Sequence, residues 1–105
     1  MNKYIKSDVE QGISLLKVAI NNALFDLEEG NEKEISFGFP IPLQLIIWCA
    51  EDRGWMEDMD GWDWTNGWEV DYWYKMSHPN REEKRLNISG SLLCGNTVIS
   101  IENDN

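Results

Sequence analysis

The residues in this 105-residue chain that could do chemistry are few and poorly spaced for it. His78 is the only histidine, and Pro79 beside it implies a turn, which reads as a surface residue rather than a general base. Cys49 (IIWCA) and Cys94 (SLLCG) lie in apolar surroundings, with no adjacent cation to favour a thiolate and no CxxC or second histidine for zinc. Both are expected to be buried, reduced thiols. There is no glycine-rich phosphate loop and no HExxH. Paired carboxylates are plentiful, so a glycosidase-like acid/base pair stays open by inventory, but so short a chain offers little sheltered volume for a sugar. The expectation is therefore a protein that is not an enzyme, with no catalytic residue, no metal and no cofactor.

Binding is better served. Glu57 to Tyr74, EDMDGWDWTNGWEVDYWY, holds four tryptophans, two tyrosines and six acids with no Lys or Arg. From Glu51 to Asp71 eight acids face the single cation Arg53, with Trp55, Trp62, Trp64 and Trp68 among them. One reading is that the indoles are core and the acids merely keep a loop solvated. The other is a protein-binding face, in which aromatic anchors supply desolvated contact area and carboxylates draw in a basic partner. Protein interfaces are ordinarily poor in Asp and Glu, so the abundance of acids favours the second reading and a cationic partner. Trp55, Trp62 and Trp64, in chain rich in Gly and Asp, are expected to stay partly exposed as anchors. Glu57, Asp58, Asp60 and Asp63 would steer and pair with the partner's basic groups.

A calcium loop fits less well. Asp58 to Glu69 has acids at loop positions one, three and twelve, but Trp62 stands where a ligand oxygen is needed and Asp63 where the turn glycine belongs. A second acidic cluster, Asp26, Glu28, Glu29, Glu32 and Glu34, is relieved only by Lys33 and surrounds the C-terminal end of a predicted helix. The helix dipole is negative there, so each exposed acid costs on the order of 0.3–1 kcal/mol. Local stability did not select these residues; they serve solubility, or extend the negative surface.

The elements that must carry these groups follow from periodicity. Ser7-Asp8-Val9-Glu10 has the form of a capping box, which predicts a helix from Asp8. Val9, Ile13, Leu16, Ile20, Leu24 and Leu27 continue it as one apolar stripe, and Gly30 stops it. Glu34 to Phe39 alternates as a strand ended by Pro40. Pro42 opens a second helix with Leu43, Ile46, Ile47 and Ala50 inward and Gly54 as its stop. Trp68 to Met76 alternates as a half-buried strand, His78-Pro79-Asn80 turns the chain, and Leu86 to Leu92 forms another strand. Gly95-Asn96 turns a hairpin into a last strand from Val98 to Glu102. The order is α-β-α-β-β-β: an α+β fold, a mostly antiparallel sheet of about four strands packed by one long N-terminal helix and a shorter second helix. Residues 1–105 read as a single domain.

A formal charge of −10, from nine Lys and Arg against nineteen Asp and Glu, repels phosphate and anionic lipid, which disfavours nucleic acid and membrane as direct ligands. The N-terminal residues lack the apolar run of an export signal, and the longest apolar stretch, Leu45 to Ala50, is far short of a bilayer span. A cytoplasmic protein is expected.

Asn66-Gly67-Trp68-Glu69-Val70-Asp71-Tyr72-Trp73-Tyr74, with Ser89-Gly90-Ser91 and the Gly95 turn, resembles in style the small acidic immunity proteins that bacteria encode beside contact-dependent growth-inhibition and other polymorphic toxins. That resemblance covers about forty residues and implies an inhibitor that occludes a cognate toxin domain, often a basic nuclease. The alternative is a phage or mobile-element DNA mimic, an anti-defence protein whose acids imitate a phosphate track to occupy a nucleic-acid-binding enzyme. A mimic needs carboxylates in rows over an extended surface; an immunity protein needs one patch around aromatic anchors.

Overall fold

A computed structural model describes residues 3–58 and 70–103, with side chains from residue 10 onward. The elements are α1 (Lys3–Glu28), β1 (Glu34–Phe37), α2 (Leu43–Asp52), β2 (Met56–Glu57), β3 (Tyr72–Ser77), β4 (Lys84–Ser91) and β5 (Asn96–Asn103). The fold is α+β, with two helices and one five-stranded sheet in the order β1-β5-β4-β3-β2, every neighbouring pair antiparallel. The strand beyond the expected four is β2, two residues long and therefore without periodicity to reveal it.

Period-two alternation sorts the sheet into two faces. Tyr72, Tyr74 and Met76 of β3, Leu86 and Ile88 of β4 and Ile99 of β5 are buried and meet Ile20, Leu24 and Leu27 of α1 and Leu43, Ile46 and Ala50 of α2 in a single core. Each such side chain contributes roughly 1.5–3 kcal/mol by leaving water. The opposite face carries Trp73, Lys75, Arg85, Asn87, Ser89, Val98 and Ser100, none of them fully buried.

Both helices stop at the expected glycines, and for the same reason. Gly30 (φ +80°) donates its N–H to Leu27 O and Asn31 donates to Asp26 O. Gly54 (φ +95°) donates to Glu51 O and Trp55 to Ala50 O. These are Schellman closures, whose left-handed residue is cheap only for glycine. The helix starts differ from expectation. The described part of α1 begins at Lys3, so Ser7 and Glu10 lie inside the helix and not at its start. α2 begins at Leu43, with Pro42 as its N-cap. Three more expectations shift at element ends: β1 stops at Phe37, leaving Phe39 47% exposed; β3 starts at Tyr72; and β4 stops at Ser91, leaving Leu92 exposed beyond the ladder. Trp68, assigned by periodicity to the third strand, lies outside the described residues.

Candidate partner-binding surface

Trp55 is not an exposed anchor: it is 2% exposed and belongs to the core. It follows Gly54 in the Schellman closure, where an apolar residue packs back onto the helix just ended. Its Nε1–H donates to Glu28 Oε2 at 2.8 Å, and Glu28 Oε1 accepts from Arg53 Nε at 2.8 Å and from Arg53 Nη2. Burial works against the Glu28 charge, but the hydrogen bonds from Arg53 and Trp55 and the cations Arg53 and Arg81 outweigh it, holding the carboxyl below its ordinary value. Nor is His78 a plain surface residue. Its Nδ1 accepts the Asn80 N–H at 3.1 Å, so the proton sits on Nε2 and is donated to Arg53 O at 3.0 Å, while the ring lies edge-on to Trp55 at 5.1 Å. One acid of the second cluster thus fastens the ends of both helices to the β2 edge. The only signal for this in the sequence was the apolar residue after a helix-stopping glycine.

Of the remaining candidates, Glu57 is exposed on β2, beside Met56, which is 51% exposed. Asp58 is committed within the molecule: its carboxylate receives Arg85 Nε at 2.9 Å and its side chain is only 10% exposed. The ion pair reaches across β3 on the helix-free face and, with the Asp58 N–H to Lys75 O contact, fixes the point where the chain leaves the sheet. Asp60, Trp62, Asp63 and Trp64 lie outside the described residues. The chain is described again from Val70, beside Gly90. Asp58 lies opposite Lys75 and Val70 beside Gly90, the partner of Tyr72, so the two roots of the acidic, Trp-rich segment stand at different points along β3.

The second root belongs to a sheet end built with care. Phe37, Thr97, Gly90 and Tyr72 pair in one row across β1, β5, β4 and β3. A Cβ on Gly90 would lie 2.7 Å from the Tyr72 ring and 2.6 Å from Val70 O, so only glycine lets the ring cross β4. The Tyr72 hydroxyl then donates to Ile41 O at 2.9 Å. Thr97 Oγ1 donates to Phe39 O at 3.1 Å and accepts from Ile41 N at 2.9 Å. Burial pushes the Tyr72 phenol well above its ordinary value, only partly opposed by its Thr97 hydrogen bond, so it stays a neutral donor. These bonds strap the β1–α2 link across the sheet end and leave Phe39 at its rim.

Beside Phe39 projects the β4–β5 turn. Gly95 (φ +68°) donates to Ser91 O at 2.8 Å and Cys94 N to Ser91 Oγ at 3.1 Å, a braced turn that displays Leu92 at 63% and Leu93 at 97% exposure. Cys94, expected to be buried, is exposed here because the ladder closes at Ser91–Asn96 and the turn stands beyond it. Cys49 is buried and free as expected, and burial chiefly pushes its thiol up, away from nucleophilic use. Trp73, one residue in from the same sheet end, is 44% exposed on the helix-free face. Phe39, Leu92, Leu93 and Trp73 are therefore all exposed at or near the sheet end where Val70 lies beside Gly90. Strand patterning missed Leu92 and Leu93, although apolar residues before a turn glycine were the available signal.

The opposite sheet end is charged. There a groove of about 680 Å³ mixes Glu29, Glu32, Glu34 and Glu102 with Lys33, Arg81 and Lys84. Among the described residues no group of three His, Cys, Asp or Glu is arranged to hold a metal ion, and no described helix is long and apolar enough to cross a membrane. Comparison with protein-family models, with curated proteins and with solved structures finds no match.

Proposed function

We propose that the chain is an immunity protein, a cytoplasmic inhibitor that binds a basic toxin domain of the nuclease class and covers the surface where that domain holds phosphate. It acts by occlusion, without chemistry of its own. The supporting observation is that Phe39, Leu92, Leu93 and Trp73 are exposed at or near one sheet end, from which departs a segment, Glu57 to Tyr74, that has six acids and no Lys or Arg of its own. Apolar residues displayed on a braced turn forgo burial unless something covers them, and a partner docked on that sheet end would cover them. These apolar residues form the desolvated centre; Glu57, Asp71 and the acids Asp60 and Asp63 form the rim that steers a cationic partner. Trp62 and Trp64 are further anchors in this proposal, while Trp55 and Asp58 position the segment.

The mixed signs around the charged groove favour this over the DNA mimic, since a phosphate imitation needs uninterrupted rows of carboxylates. The test begins with the neighbouring gene. A basic toxin domain encoded there should co-purify with this chain and lose its nuclease activity in the complex. Asp60→Lys with Asp63→Lys should abolish co-purification while the circular dichroism spectrum is retained. Undiminished binding by that variant would reject this face, and a phage gene context with no such domain would reject the immunity assignment.

A further inference from the structure

From Leu86 to Ile101 the chain carries no Asp, Glu, Lys or Arg, although 27% of its residues are charged. That stretch holds most of β4, the β4–β5 turn and most of β5. On the far side of β5, β1 leads into a second uncharged run, from Ile35 to Ala50. On the β3 side the exposed Asp71 stands one residue before the strand. The turn is therefore neutral in a protein of charge −10, with acid beside it on the β3 side and not on the β1 side.

Shape narrows what covers it. The last ladder pair is Ser91–Asn96, and the four residues between are tied back to Ser91 twice, by Gly95 N–H to Ser91 O at 2.8 Å and by Cys94 N–H to Ser91 Oγ at 3.1 Å. Leu93, at 97% exposure, is thus held away from the rest of the molecule in a conformation set before any partner arrives. A flat surface would cover one side of such a side chain; a concave pocket removes all of it from water. A loop already in its bound shape also avoids the ordering cost of association. Lipid is the poorer occupant, because a charge of −10 is repelled from anionic headgroups.

We infer, resting on the immunity reading above, that the β4–β5 turn is a preformed plug: Leu93, with Leu92 beside it, enters an uncharged apolar pocket of the toxin domain. The basic groups of that domain flank the pocket on the side that meets Asp71 and β3, and its other side is neutral.

Cys94 is the neighbour of Leu93 and is exposed, whereas Cys49 is buried, so alkylation by iodoacetamide followed by mass spectrometry reads the turn directly. In complex with a basic nuclease-class domain sought in the neighbouring gene, Cys94 should be alkylated at least about tenfold more slowly than in the free chain. Leu93→Ala should weaken binding about tenfold or more. Ser91→Ala, which frees Cys94 N–H without altering either displayed leucine, should weaken it about fivefold. An inhibited complex in which Cys94 reacts at the free rate, or in which Leu93→Ala binds like wild type, would overturn the plug and leave the immunity reading standing. Wild-type affinity in Ser91→Ala would overturn its preformation. Protection of Cys94 by neutral phosphatidylcholine vesicles alone would assign the turn to lipid instead. A chain that binds no such domain would overturn the plug and the immunity reading together.

Discussion

Trp55 stands just before β2 and Trp73 lies on β3, the two strands at one edge of the sheet, yet one is 2% and the other 44% exposed. Residue type does not separate them; backbone context does. Trp55 follows a left-handed glycine that turns it back onto α2, where Glu28 takes its N–H. Trp73 takes the odd position in a strand whose even positions, Tyr72, Tyr74 and Met76, face the helices. The same indole thus holds the fold together in one place and is displayed in the other. Residues of the first kind should change stability when replaced, and those of the second kind should change binding.

The largest stability effect is expected at Trp55. Trp55→Ala should cost about 4 kcal/mol in urea unfolding, from lost burial and an unpaired Glu28 oxygen. Gly90→Ala comes next at about 2 kcal/mol, because its methyl meets the Tyr72 ring and Val70 O and drives Tyr72 off Ile41 O. Glu28→Gln should cost roughly 1.5 kcal/mol, since Arg53 and Trp55 donate to different carboxylate oxygens and the amide turns one of these into an NH2 donor. Leu93→Asp should change unfolding free energy by no more than about 0.5 kcal/mol, as expected at an exposed position, and Trp73→Ala, at a position 44% exposed, should cost less than Trp55→Ala. A loss at Leu93 or Trp73 as large as at Trp55 would erase the contrast.

Acidity and alkalinity probe the two buried polar groups separately. The Glu28 carboxyl is held below its ordinary 4.5, so its contribution is present above that pH and disappears as pH falls through the folded-state value. The Tyr72 phenol is raised above its ordinary 10.0, so its contribution is intact below pH 10 and is lost as pH rises beyond it. Thermal midpoints should therefore fall on both sides. Glu28→Gln should flatten the acid limb alone and Tyr72→Phe the alkaline limb alone.

Periodic burial made most of the fold legible. The α1 stripe reads correctly from Leu16 to Leu27, although Ile13 is exposed; Leu43, Ile46 and Ala50 of α2 are buried as expected, while Ile47 is half-buried and Leu45 is buried unexpectedly; and the alternation of β3 and β4 reads correctly from Tyr72 to Met76 and from Leu86 to Gly90, because a repeated pattern separates a period of 3.6 from one of two. Gly30 and Gly54 were legible as stops because few other residues tolerate that backbone. What escaped were features set by single contacts. β2 is held by two register pairs with β3, Glu28 acquires its role from residues 25 and 27 positions away, and Asp58 is claimed by Arg85 from 27 positions away. Leu92 looked like a strand residue, and only the closure of the ladder at Ser91 shows that it and Leu93 project.

The most direct test of the central claim is the affinity of this chain for the partner proposed for it, a basic toxin domain of the nuclease class sought in the neighbouring gene, measured by calorimetry at low and high salt with wild type, Leu93→Asp and Trp73→Ala. Each substitution should weaken binding by about 2 kcal/mol at both salt concentrations, while wild-type binding itself weakens as salt rises. Wild-type affinity retained by both variants, or affinity indifferent to salt, would contradict an apolar centre rimmed by steering acids.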